Sequence, residues 1–447
     1  MPDAFISQQI VTPDAIRPGA VLVDDGKIIA IVDPAEVPPG YRVIQCPGAL
    51  LPGLVDSHIH INEPGRTEWE GFATATRAAA AGGYTTLIDM PLNCLPATTT
   101  VAALEAKRSA ANGKCLVDWA AWGGVSAHNA DHLEPLARAS VRGFKCFLAE
   151  PGIDGFSRVD EVELRIAAPH LVRTGLPLLV HAELPEPLDL AARALTAADW
   201  RRYETWLRSR PDEAEVEAIR LMIRLCREFG FPVHIVHLVT AQALPDISRA
   251  KEEGLPLTVE TCPHYLHFAA EEIPDGSTLH KCAPPIRSAE NREQLWGALR
   301  DGVIDLIATD HSPCPPAMKR IEDGNFAAAW GGIASVSVAL SAVWTGMRRR
   351  GFSLSDLARL MSQQPAQLAG LAGKKGRIAP GYDADFVVFS PDAERTVTED
   401  QLHTRDALSP YIGQRLFGTV TATYLRGNPV FENARFSESP LGREITP

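Results

Sequence analysis

The sequence predicts an α/β protein, a TIM-like (β/α)8 barrel with a small β-sandwich domain formed from both termini. Three features carry this expectation. Eight apolar segments alternate with amphipathic ones through the middle of the 447 residues, short strand-and-turn patterns occupy both ends, and histidines recur where apolar segments stop. The expected division is 1–49 for the first part of the small β-domain, 50–375 for the barrel and 376–447 for the second part.

At the N-terminal end, residues 20–32 read as two short strands joined at Asp25-Gly26, a favoured hairpin turn. Near the other end, 385–389, 420–425 and 429–432 read as strands, the last two turned by Arg426-Gly427-Asn428. Neither group alone has enough strands to bury a face, so the two ends are expected to form one domain. Between them lie apolar segments at 50–58, 84–89, 115–121, 142–147, 177–181, 232–237, 257–261 and 303–309. Amphipathic stretches at 101–112, 161–174, 214–229 and 288–300 read as intervening helices. An open doubly wound sheet would call for a Gly-rich phosphate loop after its first strand, and none stands there. Gly82-Gly83 and Gly123-Gly124 read as tight turns, and Pro313-Cys314-Pro315-Pro316 as a stiff loop after the last strand.

Composition narrows the class. Hydrophobic residues at 45% and charged residues at 22% are ordinary for a globular enzyme. A formal net charge of -12, with no clustered Lys and Arg, argues against nucleic acid or an anionic membrane as partner. The start Met1-Pro2-Asp3-Ala4 lacks the pattern of a signal peptide and no apolar run suffices to span a bilayer, so a cytoplasmic protein is expected. Eight cysteines without a Cys-x-x-Cys pair suggest buried thiols rather than a disulfide framework.

In such a barrel, side chains at the C-terminal strand ends converge on one site. The first apolar segment ends in His58 and His60, which share a face if the segment is a strand. The fourth carries Lys145, the fifth ends in His181, the sixth in His237 and the eighth in Asp310. Neutral imidazole is a good ligand for zinc, cobalt, manganese or iron. His234 lies three residues before His237, so strand parity turns it away from the site, and it is expected to pack outward against a helix. His128, His132, His170, His267, His280 and His403 fall in helices or loops and are read as surface or capping residues.

Lys145 sits inside an apolar strand end, where an ammonium would be costly to bury. One resolution is an ion pair with Asp310. Another is chemical: a neutral amine reacts with carbon dioxide to form a carbamate, whose two oxygens can bridge two metal ions.

Several segments resemble, in order, those of the cyclic amidohydrolases of the amidohydrolase superfamily, most closely the allantoinase group. They are Gly53-Leu54-Val55-Asp56-Ser57-His58, Glu63-Pro64-Gly65-Arg66, Met90-Pro91-Leu92-Asn93, Gly143-Phe144-Lys145-Cys146-Phe147, Glu260-Thr261-Cys262-Pro263-His264-Tyr265 and Asp310-His311-Ser312-Pro313-Cys314-Pro315-Pro316. The resemblance extends to Gly376–Phe386, nearly the whole chain. It implies two divalent ions, with His58, His60 and Asp310 on one, His181 and His237 on the other, and a carbamylated Lys145 bridging both. It further implies zinc as the usual metal, Asp310 as the catalytic proton carrier, a homotetramer, and opening of a cyclic ureide ring, allantoin to allantoate.

Substrate choice is expected to rest on the loops. Dihydroorotases typically carry an arginine two residues after the second histidine, to bind a carboxylate; here that residue is Asn62. Asn62, Arg66, Asn93 and Ala283, the last in the loop Cys282–Arg287, are the candidate substrate contacts. The chain also departs from the group's pattern at Ala283, where serine is usual, and in His181-Ala182-Glu183-Leu184 and His237-Leu238-Val239-Thr240. Hydantoinase or dihydropyrimidinase activity is therefore the second expectation and dihydroorotase the third. A barrel that has lost catalysis would show substitutions among the six ligand positions, and there are none.

Overall fold

Strands rich in β-branched and aliphatic residues and buried on both faces pair in parallel when helices cover them, and eight of them here form a circuit. The computed structural model describes residues 1–446. Its barrel strands are Leu54–Ile59, Tyr84–Asp89, Asp118–Ala121, Phe144–Phe147, Leu178–His181, Val233–Ile235, Leu257–Thr261 and Leu306–Ile307. Each pairs in parallel with the next, Asp118–Ala121 reaching Phe144–Phe147 through Trp122 and the short strand Gly123–Gly124. A parallel bridge between Ile59 and His311 closes the ring. The protein is thus a (β/α)8 barrel with a β-sandwich domain attached.

The covering helices carry their own start and stop chemistry. Glu161–Thr174 begins at Asp160, which forms a reciprocal capping box with Glu163, and ends at Gly175 in the left-handed conformation. Asp212–Phe229 opens with three acidic residues in its first turn, ends at Gly230, and buries Val216, Ile219, Met222 and Cys226 on its barrel-facing side. No helix among the described residues is long and apolar enough to cross a membrane. All eight cysteines are buried and unpaired.

Both chain ends contribute to a second, nine-stranded sheet. The expected hairpin is present, with Asp24 opposite Lys27 and the turn residues Asp25 and Gly26 at φ 45° and 73°. Around Phe5, Val21, Leu50, Phe386 and Tyr424 a small apolar core forms, the Phe5 ring lying 4.9 Å from Phe386 and 5.0 Å from Tyr424.

The structure corrects the reading of 50–58 as one strand. Ala49–Pro52 pairs with Phe386–Phe389 in the terminal sheet, and only Leu54–Ile59 belongs to the barrel. The break is at Gly53, where a Cβ would lie 2.2 Å from Thr85 Oγ1. The strands Asp3–Val11 and Arg42–Gln45 also went unread. Each has a partner distant in sequence, and Arg42–Gln45 has no buried residue to mark it.

A buried ion cluster ties barrel to terminal sheet. Lys375 Nζ lies 2.7 Å from Asp118, 2.9 Å from Asp383 and 2.6 Å from Asp385, all almost fully buried, and Arg426 also pairs with Asp118. Lys375→Met is expected to destabilise the fold by about 3–5 kcal/mol, because three carboxylates lose their shared cation in a dry site. The denaturant midpoint measures this; an unshifted midpoint would show that the cluster is not what joins the two parts.

Candidate metal centre

Parallel strands in a closed barrel all end at the same rim, so residues at their C-terminal ends meet whatever their separation in sequence. His58, Lys145 and His181 stand on strands, His60 follows its strand directly, and His237 and Asp310 come shortly after the strands that end at Ile235 and Ile307. His237 and Asp310 adopt φ 40° and 45°, left-handed values uncommon for such residues and characteristic of functional sites.

These side chains converge. Asp310 Oδ1 lies 3.3 Å from His58 Nε2 and 3.5 Å from His60 Nε2, and His181 Nδ1 lies 3.0 Å from His237 Nε2. The rings of His58 and His237 are 5.5 Å apart, which brings the two groups side by side. Lys145 is fully buried at the same mouth, its Nζ 4.9 Å from the Phe147 ring and without a hydrogen-bond partner among the described residues. Phe147 stacks on His181 at 4.5 Å.

Electrostatics follow from burial. Burial lowers the basicity of His60, His181 and His237, which favours the neutral imidazole that binds metal. It also pulls the Lys145 amine down to about 8, against the attraction of Glu260 and Asp310. Burial pushes the Asp310 carboxyl up, but His58, His60 and His237 outweigh it and hold the group well below the ordinary carboxylate range. The donor set fits a pair of divalent cations: four imidazoles, an ionised carboxylate, and an unpartnered amine of the kind that accepts carbon dioxide. Asp118, Asp383 and Asp385 also cluster, but Lys375 already supplies their cation.

Carboxylates behind the ligands escaped the sequence reading. Glu260 is fully buried, pairs with His58 Nδ1 and lies 3.1 Å from His234 Nε2. The same carboxylate accepts from the His237 backbone N–H at 3.3 Å. His234 is accordingly corrected: it does not pack outward against a helix but bonds Glu260 and, at 2.8 Å, Thr258 Oγ1. Parity failed because the strand stops at Ile235, and the turn at His237 breaks the alternation. Glu183 holds His181 from the other side, Oε2 lying 2.7 Å from Nε2. Its spacing of two from His181 was the available signal.

Orienting carboxylates of this kind typically govern affinity for the ion. Glu260→Gln is expected to weaken metal binding by about 10–100-fold, measured by chelator competition. Unaltered affinity would mean that His58 is fixed by packing alone.

A cavity of about 650 Å³ opens above the cluster. Asn93 and Ala283 line it, and the Asn93 amide also lies 3.2 Å from His60 Nδ1. Asn62 and Arg66 are not among its lining residues. Asn62, at φ 67°, directs its amide to the Pro313 carbonyl at 3.4 Å, while Arg66 lies over Trp69 and touches the cavity only indirectly, through the Trp69–Trp330 contact.

Residues 49–430 match the model of the amidohydrolase family. The allantoinase of Streptomyces avermitilis is 48% identical over 98% of this chain and 97% of its own, and that of Saccharomyces cerevisiae 41% over 99% and 98%. Among solved structures, the L-hydantoinase (dihydropyrimidinase) from Arthrobacter aurescens superposes with a TM-score of 0.95 at 30% identity, over 100% of both chains. The chain belongs to the amidohydrolase family. It is, more particularly, an enzyme of the allantoinase-like group, hydrolysing cyclic amide C–N bonds.

Proposed function

We propose that this enzyme opens the hydantoin ring of allantoin to give allantoate, with His58, His60, Lys145, His181, His237 and Asp310 holding two divalent ions. The single observation that carries the reading is the meeting of all six donors at one mouth, in a chain alike along its length to allantoinases. Zinc suits this set best, with cobalt, manganese or iron able to replace it. Lys145 enters as its carbamate, formed when the neutral amine adds carbon dioxide. When bound, such ions lower the pKa of water toward neutrality and polarise a carbonyl oxygen.

The protein's own groups then have defined tasks. Glu260 and Glu183 fix the rings of His58 and His181. The ionised carboxylate of Asp310 takes the proton from the attacking water and returns it to the ring nitrogen as the C–N bond breaks. Water is thereby added across the ring amide, one C–O bond forming as one C–N bond is lost. Asn93 and the start of the loop at Cys282 and Ala283 line the space for the ureide, and Asn62 stands where a carboxylate-binding arginine would be needed for dihydroorotate. We place the enzyme in the cytoplasm, as a homotetramer.

Hydantoinase or dihydropyrimidinase activity is the second reading, favoured by the close structural likeness to the Arthrobacter aurescens enzyme. A side-by-side assay of allantoin, hydantoin, dihydrouracil and dihydroorotate decides between them. The expected result is opening of allantoin well above the others; opening of dihydrouracil without allantoin would overturn the first reading.

A further inference from the structure

Three cationic side chains line the cavity, Arg210, Lys281 and Arg320. Lys281 Nζ donates to the carbonyls of Ala327 at 3.2 Å and Ala329 at 2.6 Å on the cavity wall, and the half-exposed Arg320 directs Nε and Nη2 to the half-exposed Asp323. Arg210 differs in being largely buried and paired with a fully buried carboxylate. Its Nε donates to Glu183 Oε1 at 3.0 Å and its Nη2 to Glu183 Oε2, leaving Nη1 with no hydrogen-bond partner among the described residues. The side chain is 18% exposed and borders the cavity, so the spare N–H groups have access to whatever fills it.

The pairing with Glu183 also sets what Arg210 can attract. Glu183 is fully buried and forms a two-point contact with the guanidinium, so the positive charge is locally cancelled. What remains toward the cavity is a directed N–H donor with little net charge, matched to a neutral carbonyl oxygen rather than to a carboxylate. Trp206 adds a flat wall: its ring is 5.5 Å from the Arg210 guanidinium and 4.3 Å from Lys281 Nζ, while its own N–H is used on the Cys282 carbonyl at 3.2 Å. A planar urea group presents such a carbonyl and a face that lies well on an indole. Glu183 also touches His181, so the Arg210 guanidinium stands one carboxylate away from the ligand cluster.

We propose that Arg210 is the specificity residue for the ureido side chain of the substrate, donating from Nη1 to the ureido carbonyl against the Trp206 wall. The proposal rests on the reading of allantoin as substrate, since a bare hydantoin ring has no such group to reach it.

The test uses the intact metal-loaded enzyme, Arg210→Met and Arg210→Lys, with KM and kcat for allantoin, the inhibition constant of plain hydantoin against allantoin opening, and metal content on the same samples. The lysine variant keeps a cation beside Glu183 but loses the fork that leaves a donor free, and it decides the matter should the methionine variant fail to fold. The expected result is a KM for allantoin raised about tenfold, the value of one lost hydrogen bond, with the hydantoin constant within about twofold and metal retained in the lysine variant. Equal shifts for allantoin and hydantoin, or a fall in kcat and metal content without a selective change in KM, would overturn it and leave Arg210 as a support for Glu183 only. So would a variant that weakens inhibition by dihydroorotate and not binding of allantoin. A wild-type enzyme that opens hydantoin but not allantoin defeats the substrate reading itself, a result seen before any variant is made, and the proposal falls with it.

Discussion

Replacing Lys145 by alanine is expected to lower turnover by about a thousandfold or more and to reduce bound metal, because the carbamate proposed to join the two ion positions would go with the amine. The expectation rests on what surrounds that amine. It is fully buried, lacks a hydrogen-bond partner among the described residues, and has its basicity lowered to about 8, which raises the share of the unprotonated form that adds carbon dioxide. An ion pair with Asp310 was the competing account. Asp310 instead lies within hydrogen-bonding or ion-pairing range of His58 and His60, and no ion pair between Lys145 and Asp310 forms within 4.0 Å. A short carboxylic acid added in solution is expected to restore part of the lost rate by supplying two oxygens in the vacated space. Steady-state kinetics with and without the acid, on samples of known metal content, measures this. Turnover equal to that of the parent enzyme would remove the bridging role.

Asp310→Asn is expected to lower kcat by about a hundred- to ten-thousandfold while keeping much of the metal. The amide preserves size and one oxygen donor, and four imidazoles remain, but it has no basic oxygen to take a proton from water. The neighbouring imidazoles that hold the Asp310 carboxyl low, against the opposing push of burial, keep it ionised. Rate and metal content on the same sample separate the two losses. A parental rate would assign the proton transfer to another group, and complete loss of metal would make Asp310 chiefly a ligand.

The ligand cluster was legible in the sequence for a physical reason. Barrel geometry gathers strand ends, so His58, His60, Lys145, His181, His237 and Asp310 could be placed together by locating where each apolar segment stops. The helices were legible as well, since Glu161–Thr174 and Asp212–Phe229 bring caps and periodic apolar faces of their own. What could not be read depended on local departures from regularity or on contacts between distant segments. His234 was misplaced because the strand ends at Ile235, two residues before the histidine used to count parity. Glu260 looked like any carboxylate at the end of a strand, and only the folded chain shows it serving His58, His234 and the His237 backbone together. Arg210 lies in a connecting segment whose path no periodicity predicts, yet it completes the support of His181 through Glu183. The terminal sheet was half legible for a similar reason. Its hairpin at Asp25-Gly26 is a local signal, whereas Asp3–Val11 owes its place to pairing with Ile16–Asp24, Arg42–Gln45 and Ala49–Pro52 at once.

The proposed catalysis requires the six donors to bind a pair of ions, and counting metal on the purified enzyme, produced with ample divalent metal and carbon dioxide, tests this most directly. The account predicts about two ions per chain. Less than about one ion per chain under those conditions would contradict it.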